Sequence, residues 1–588
     1  MGGGLYKSAN AGHSAQQQYP DGAVLISTQP MPPGMHPSPG LESSPDLEPR
    51  VEVEDQSAAS NSAIMAVGSL VSRGTGFLRT VILAAALGGG AINNAYTTAQ
   101  ILPGIVYELL LGALLSSTII PVLVRRRKAD PDRGEAYTQR LVTLTVLVLG
   151  GAAVLVTAAA SVLTLLYASD ESGAAFQGLV TKLSYLMLPM IFFIGVSGIL
   201  TAVLNTRGHF ATPMFTPILN NLVVIATGVV YMLIYGAKAI RPEQMTVGQI
   251  LLLGGGTLLG VIVQSAGLLP ALRKVGFKWR WRFDFRALGL RELGRIGGWA
   301  LCYVVVTQIG QAVAFNLLNR AGGKDEAGPA IYNNVFLLMY MAHGIISVSI
   351  ITALTPRMSS AAADHRHSDM AADLARGTRM ITAVLTPVAI CYAVLAAPIS
   401  VALFRSGAYS QDDATETAVV LVAAAVALVP FSISQLFTVG LYARQETKAA
   451  ALVNLPVVGL RVLVQLIVFA LFSAAFAAPG LMFANALSFA ASGLITAMLM
   501  HRRIGAIGLG GILVTFVKVG VAAVGATVVG LAMMYVLPGG WTPSKAESLL
   551  QLAVGGLAIG GTYVAIALGL KVTEINSVFA LVRRKIRR

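Results

Sequence analysis

Charge and cysteine are both scarce in this sequence. Only 12% of its 588 residues are charged, which is about half the share typical of soluble domains. The two cysteines, Cys302 and Cys391, lie inside apolar runs, so neither a disulfide framework nor a cysteine metal site is predicted. No zinc-protease spacing, phosphate-binding loop or catalytic-triad spacing occurs among the polar residues. These absences exclude a secreted disulfide-rich protein, a metalloenzyme and a soluble enzyme.

Long apolar runs fill the rest of the chain, and 55% of all residues are hydrophobic. Residues 1–61 are the exception. They are polar and rich in Pro and Ser and have no signal-peptide pattern, so we predict a disordered cytoplasmic tail. After it come fourteen segments long enough to cross a bilayer as helices. The sequence therefore predicts an all-α polytopic membrane protein, with spans near residues 63–87, 95–124, 141–167, 179–204, 213–235, 246–270, 296–318, 330–355, 380–404, 417–442, 449–472, 480–500, 511–536 and 549–570.

Lys and Arg are distributed unevenly between the two sides of this predicted bundle. The even-numbered connections and the C-terminal tail hold 29 of them, against 6 in the odd-numbered connections. Because cytoplasmic loops are enriched in Lys and Arg, both termini are predicted to be cytoplasmic in a bacterial plasma membrane. The net charge of +15 then reflects topology. No nucleic-acid partner is predicted, because the basic residues flank apolar spans.

An internal repeat divides the spans into two lobes. Thr118–Pro121 ends span two much as Thr352–Pro356 ends span eight, and Leu204–Arg207 ends span four as Leu441–Arg444 ends span ten. The separations are 235 and 237 residues. We therefore expect two parallel six-helix lobes, an arrangement that places a substrate site between the halves of a transporter. The predicted organisation is an N-lobe at 62–270, a basic aromatic interfacial segment at 271–295, a C-lobe at 296–500, two extra helices at 501–570 and a basic cytoplasmic tail at 571–588.

Basic and aromatic residues alternate in the segment Phe277–Phe283 between spans six and seven. Aromatic rings favour the membrane–water interface and cations favour anionic lipid. The pattern indicates a membrane-surface anchor, with a specific lipid-loading site as the alternative.

Five cations fall within predicted spans, where a central Arg or Lys costs about 2.5–3.5 kcal/mol. Lys182 and Lys518 lie near span ends and are expected to extend to the surface. Arg73 and Arg79 lie deep in span one, about 9 Å apart along the helix axis, where they would bind an extended anion such as a phosphate group. A structural ion pair is the alternative reading.

Further polar residues complete the set of candidates from the spans. Glu108, the one carboxylate inside a predicted span, is expected to be a counter-ion for Arg73, with proton coupling as the alternative. Arg461, central in span eleven, either faces a hydrated cavity or bonds backbone carbonyls. Amides on spans seven and eight would line a cavity or hold helices together, namely Gln308, Gln311, Asn316, Asn333 and Asn334.

The run Ser72-Arg73-Gly-Thr-Gly-Phe77-Leu-Arg79 resembles the S-R-x-x-G-F-x-R signature of the MurJ (MviN) family of lipid II flippases. The resemblance extends over residues 62–570, through Ala95-Tyr96, Leu102-Pro103, Ile120-Pro121, Leu204-Asn205 and Arg444-Gln445. The stretch from Val106 to Gly112, which contains Tyr107 and Glu108, is similar to the actinobacterial branch.

The resemblance implies a multidrug/oligosaccharidyl-lipid/polysaccharide exporter fold and a role in peptidoglycan synthesis, cell-wall biogenesis and cell shape. Such a protein carries lipid II, the undecaprenyl-pyrophosphate-linked disaccharide peptide, from the inner to the outer leaflet by alternating access. It is a transporter without covalent chemistry, metal or cofactor, and its coupling to membrane potential, H⁺ or Na⁺ stays open. Membrane lipids are further partners, and cell-wall synthesis regulators would bind the cytoplasmic tails.

Residue by residue, the resemblance adds Ser72 and Phe77 to Arg73 and Arg79 as cavity residues of span one. Relatives have an acidic residue at the position of Asn94, an Arg at that of Tyr107 and an Arg at that of Leu337. We infer that Arg461 replaces part of the missing positive charge from the other lobe.

Two other classes of protein remain as alternatives. One is an exporter of another polyprenyl-linked oligosaccharide, or a drug or ion antiporter of the same fold, although an antiporter favours an acidic cavity. The other is a polyprenyl-dependent membrane glycosyltransferase, which would need acidic residues in an outer loop. Asp170-Glu171 and Asp412-Asp413 occur there without further supporting residues.

Overall fold

The computed structural model describes residues 48–112, 119–168, 172–323 and 326–575, and within these ranges it is helical, with no strand. Contacts divide the chain into two units, Met1–Ala59 and Ser60–Arg588, and the helices described below belong to the second apart from the start of the first helix. Residues 1–47 of the predicted N-terminal tail and 576–588 of the predicted basic tail lie outside the described residues.

The first helix begins earlier than the sequence predicted. It starts at Glu48, inside the segment expected to be disordered through residue 61. The stretch that precedes the apolar span contains no glycine, and its one proline, Pro49, lies in the first turn, where proline is tolerated. A polar composition alone therefore did not mark the start of the helix.

In the described ranges the N-lobe contains ten α-helices, several of which are parts of one span. Their bounds are α1 Glu48–Leu87, α2 Ala91–Tyr107, α3 Ile120–Ala129, α4 Glu135–Ala158, α5 Ala160–Tyr167, α6 Ala174–Met187, α7 Met190–Thr206, α8 Ala211–Tyr235, α9 Val247–Ala266 and α10 Leu269–Lys274.

The C-lobe follows, with two further helices at its end. Their bounds are α11 Leu290–Gly322, α12 Pro329–Ala342, α13 Val348–Ala363, α14 His367–Val394, α15 Ala396–Phe404, α16 Gln411–Ala443, α17 Thr447–Leu471, α18 Ala477–Ile504, α19 Leu509–Val536 and α20 Lys545–Gly569. The pair α19–α20 packs on α14, where the buried Tyr563 hydroxyl donates to the carbonyl of Ala383 at 2.7 Å.

Twelve helices in the described ranges are long and apolar enough to cross a membrane, and α6 with α7 forms a thirteenth span bent by 41°. The second expected span includes residues 113–118, which lie outside the described residues, so the count of fourteen stays a prediction. Within this span the α-helix continues past Pro103 to Tyr107 and becomes a π-helix at Glu108–Gly112.

The two lobes repeat the same packing in parallel. In the N-lobe, the buried Tyr96 hydroxyl of α2 bonds Thr257 of α9 at 2.8 Å. In the C-lobe, the buried Tyr332 of α12 accepts a hydrogen bond from Asn485 of α18 at 2.5 Å. Equivalent helices thus meet through equivalent tyrosines, which supports the parallel repeat inferred from the sequence.

Candidate functional site

A cavity of about 470 Å³ lies between α1 of the N-lobe and five helices of the C-lobe. Because α1 supplies one wall and the C-lobe the others, movement between the lobes would change its shape. Its lining is polar and aromatic and carries two arginines: Arg79, Thr80, Tyr303, Thr307, Gln311, Phe315, Tyr332, Asn333, Phe336, Leu337, Tyr340, Phe431, Ser434, Gln435, Thr438, Asn454, Val457, Val458, Arg461, Ser488, Phe489 and Ser492.

Arg79 and Arg461 reach this cavity from opposite lobes. Arg79 donates through Nη1 to the side-chain oxygen of Asn221 on α8 at 3.2 Å. Arg461 donates through Nη2 to the carbonyl of Thr307 on α11 at 3.4 Å. Both Nε atoms are buried without a hydrogen-bond partner in the described structure, and neither guanidinium pairs with a carboxylate there. Arg461 therefore lines the cavity and also bonds a backbone carbonyl.

Arg73 points elsewhere on the interface between the lobes. Its guanidinium lies against Gly344, in the π-helix His343–Ser347 that interrupts the eighth span. Glu108 is exposed at the start of the other π-helix, and it forms no ion pair with Arg73 in the described part of the chain. The structure thus replaces the expected Arg73–Glu108 ion pair with a contact between Arg73 and Gly344.

Two of these arginine contacts, one at Arg73 and one at Arg461, depend on glycine. A Cβ at Gly344 would overlap Nη1 of Arg73, and a Cβ at Gly310 on α11 would overlap Nη2 of Arg461. The absence of a side chain at these two helical positions therefore creates the space in which the guanidinium groups lie.

The amide candidates separate into three groups. Gln311 and Asn333 line the cavity. Gln308 lies in a second, mainly apolar pocket of about 540 Å³ formed by α2, α5, α11 and α17, together with Asn316. Asn334 is buried at 4% exposure, away from the cavity lining. Neighbouring amides of one helix therefore differ in whether they face the cavity, which their positions in the sequence did not predict.

The remaining three candidates have structural contacts. The carbonyl of Ser72 accepts a hydrogen bond from the side-chain amide of Asn221 at 3.2 Å. Phe77 packs edge-on against Phe404 of the C-lobe, with ring centroids 6.2 Å apart. Asn94 is fully buried between the lobes, where its side-chain oxygen accepts from the Ala330 amide at 3.0 Å. The structure places none of these three in the cavity lining.

One end of the bundle is closed by hydrogen bonds between the lobes, and we call it the closed end. The carbonyl of Ala85 accepts from the Ala408 amide at 2.8 Å. Further bonds are Gly89 N to Asp413 Oδ2 at 3.2 Å, Asn316 Nδ2 to Leu166 O at 3.0 Å and Asn319 Nδ2 to Tyr167 O at 2.8 Å. The interlobe hydrogen bonds of the described ranges all lie at this end.

Sequence reasoning missed several residues of the site. Asn221 and Asn454 lie inside spans five and eleven. A polar amide within an apolar span is the sequence signal that could have identified them. Tyr303, Tyr332 and Tyr340 line the cavity in which Arg461 lies. The direction of these side chains depends on the rotation of each helix about its axis. A span that is apolar on all sides does not indicate that rotation.

The chain matches known proteins over most of its length. The family model described as "Lipid II flippase MurJ" matches residues 83–547. The probable lipid II flippase MurJ of Vibrio cholerae serotype O1 is 28% identical over 66% of this chain and 72% of its own. The lipid II flippase MurJ of Burkholderia cenocepacia is 26% identical, with coverages of 65% and 72%.

Solved structures agree with this assignment at the level of the fold. A lipid II flippase MurJ in an inward closed conformation superposes with a TM-score of 0.65 at 17% identity, covering 86% of this chain and 99% of that one. An inward-facing multidrug resistance MATE family transporter gives 0.58 at 15% identity, with coverages of 74% and 95%. The family match covers well over half of the chain, and the protein therefore belongs to the lipid II flippase MurJ family.

Proposed function

We propose that this chain moves lipid II from the inner to the outer leaflet of the bacterial plasma membrane, and that the cavity holds its pyrophosphate and sugar head group. Family membership supports the flippase activity. The observation that supports the site is the pair Arg79 and Arg461, which approach one cavity from two lobes without a carboxylate partner in the described structure.

The chemistry of this pair suits a pyrophosphate. A guanidinium stays charged when buried and offers several N–H donors in a planar array that matches phosphate oxygens. Such a charge inside a membrane protein is costly unless it has a counter-ion or water. An incoming pyrophosphate would offset that cost at both arginines, whereas the neutral tail would stay in lipid.

Alternating access would follow from the closed end. The Lys- and Arg-rich connections lie at the opposite end, which we assign to the cytoplasm together with both termini. The described conformation would then receive the head group from the inner leaflet. Release requires breaking the interlobe hydrogen bonds of the closed end, with membrane potential, H⁺ or Na⁺ as the driving force. Regulators of cell-wall synthesis would bind the two cytoplasmic tails.

A rescue assay tests this proposal. The resident lipid II flippase of a host bacterium is depleted, this chain is expressed, and outer-leaflet lipid II is measured. We expect the wild type to restore it and Arg79→Ala and Arg461→Ala to fail while still inserting. Lys182→Ala is the matched control, because it removes an exposed intramembrane cation outside the cavity.

The outcomes test the identity of the substrate and the position of its site independently. If the wild type inserts but lipid II stays inside, the cargo is another polyprenyl-linked oligosaccharide. If both arginine variants restore lipid II fully, the cavity is not the head-group site.

A further inference from the structure

The segment between the lobes carries an exposed row of aromatic rings, which we call the aromatic row: Trp279, Trp281 and Phe283. They occupy every second position of the segment, and alternate residues of an extended chain lie on one face. The ring centroids of neighbours are 4.5 and 6.1 Å apart. The three residues are 43%, 54% and 64% exposed. The three rings therefore form a continuous apolar surface, about half of which is exposed.

Hydrogen bonds hold this segment across α4. The side-chain amide of Gln139 donates to the carbonyl of Lys278 at 2.8 Å, and Arg282 Nε donates to the oxygen of Gln139 at 2.9 Å. The indole N–H of Trp279 and the backbone N–H of Arg282 both donate to the hydroxyl of Thr143 at 3.3 Å. Because Lys278, Trp279 and Arg282 all contact the turn from Gln139 to Thr143, the segment runs across the helix and not along it.

Two further contacts fix the segment at its ends. Arg140 binds Asp284 through Nε and Nη2 at 2.8 and 2.5 Å, and this bond holds the pKa of Asp284 below its usual range. The guanidinium of Arg207 lies over the ring of Phe277 at 5.0 Å. The row is thus held against the N-lobe from both sides.

The length of the third span sets the depth of the row. A helix crosses a hydrocarbon layer of about 30 Å in about 20 residues. We place one boundary of this layer at Tyr167, the last residue of α5. The other boundary then lies about one helical turn from Thr143, on the side of Tyr167. Thr143 therefore lies at the depth of the lipid head groups, and Gln139 lies farther from the hydrocarbon. Since Trp279 bonds Thr143, the aromatic row is at the depth that aromatic residues favour.

Exposed cations surround the row. They belong to the same connection and none pairs with a carboxylate in the described part of the chain: Arg273, Lys274, Lys278, Arg280 and Arg286. Rings at head-group depth beside unpaired cations fit a surface that offers hydrocarbon on one side and phosphate on the other.

We propose that the aromatic row and its cations bind anionic phospholipids of the leaflet that faces the basic loops. The segment joins α10 of the N-lobe to α11 of the C-lobe, so bound lipid would hold the linker at the membrane surface while the lobes move. This lipid site is separate from the cavity and does not depend on the identity of the transported substrate.

Tryptophan fluorescence of the full chain in nanodiscs tests the proposal. The chain has four tryptophans, and Trp299→Phe with Trp541→Phe leaves only the two of the row. Nanodiscs contain phosphatidylcholine and phosphatidylglycerol in equal amounts, with bromine near the carbonyl end of the acyl chains of one lipid or the other. We expect brominated phosphatidylglycerol to quench the row more strongly than brominated phosphatidylcholine.

Charge variants decide whether the preference arises at this site. Lys278→Gln with Arg280→Gln should reduce the enrichment of anionic lipid, by up to about fivefold for each cation removed. Lys238→Gln with Arg241→Gln removes two exposed cations from the connection between α8 and α9 and should leave it unchanged. Equal quenching by the two brominated lipids, or quenching by neither, would overturn the proposal.

Discussion

Asn221 and Asn454 make the same pair of hydrogen bonds in the two lobes. Asn221 of α8 donates to the carbonyl of Ser72 at 3.2 Å and to the hydroxyl of Thr75 at 3.0 Å, both on α1. Asn454 of α17 donates to Tyr303 O at 3.1 Å and to Thr307 Oγ1 at 2.9 Å, both on α11. Each amide therefore ties the first helix of its lobe to the fifth span, beside the arginine that enters the cavity.

Replacing either asparagine by alanine should destabilise the protein, and Asn221→Ala should have the larger effect. Asn454→Ala loses two interhelical hydrogen bonds, which contribute about 0.6 kcal/mol each on average between membrane helices, whereas Asn221→Ala also loses the bond that Arg79 donates. The two changes lie in different lobes, so their effects on the free energy of unfolding should add. Thr75→Val and Thr307→Val, which each remove one interhelical bond, are the graded controls in a denaturant titration. Strong non-additivity would show that the two contacts are coupled through the interface between lobes.

Gly344→Ala and Gly310→Ala should reduce flipping without preventing membrane insertion. Each new methyl group would overlap a guanidinium, that of Arg73 or Arg461, and displace it. Gly459→Ala is the matched control, because it lies close to Arg461 on α17 and its Cβ would meet nothing within 4 Å. The measurement is outer-leaflet lipid II at equal expression. Full activity of both variants would show that the arginine positions are not critical.

Leu337→Arg should restore flipping to the inactive Arg461→Ala variant. Leu337 lines the same cavity as Arg79 and Arg461, and relatives are expected to carry an arginine at this position. The second change would therefore return the cavity to two guanidinium groups. Leu337→Met, which keeps the size but adds no charge, should not rescue. Equal rescue by both changes would mean that cavity volume, and not charge, limits the Arg461→Ala variant.

A disulfide across the closed end should stop transport reversibly. A Cβ at Gly88 would lie 3.8 Å from that of Ala408, close to the usual separation in disulfides. We expect Gly88→Cys with Ala408→Cys, in a background of Cys302→Ser and Cys391→Ser, to lose flipping on oxidation and regain it on reduction. Each single cysteine variant is the control. Transport by the fully cross-linked protein, checked by mass spectrometry, would argue against opening at this end.

The fold class and the family followed from local sequence. Each apolar run is long enough to span the membrane by itself, and the repeat was recognisable from two short markers at the ends of spans. Arg79 and Arg461 were identifiable because a charge in an apolar run is costly wherever its helix packs. These inferences depend on residues close together in the chain, and tertiary structure was not needed for them.

Tertiary structure alone decided which polar residues meet. The sequence paired Arg73 with Glu108 as the nearest opposite charge, whereas the folded chain places Arg73 against Gly344, about 270 residues away in the chain. The folded chain also places Gln308 and Gln311 in two neighbouring pockets, because side chains three residues apart on a helix point in different directions. Hydropathy determines that a helix is buried in the bilayer. The rotation of that helix, and hence the position of its polar side chains, is set by close packing against helices distant in sequence.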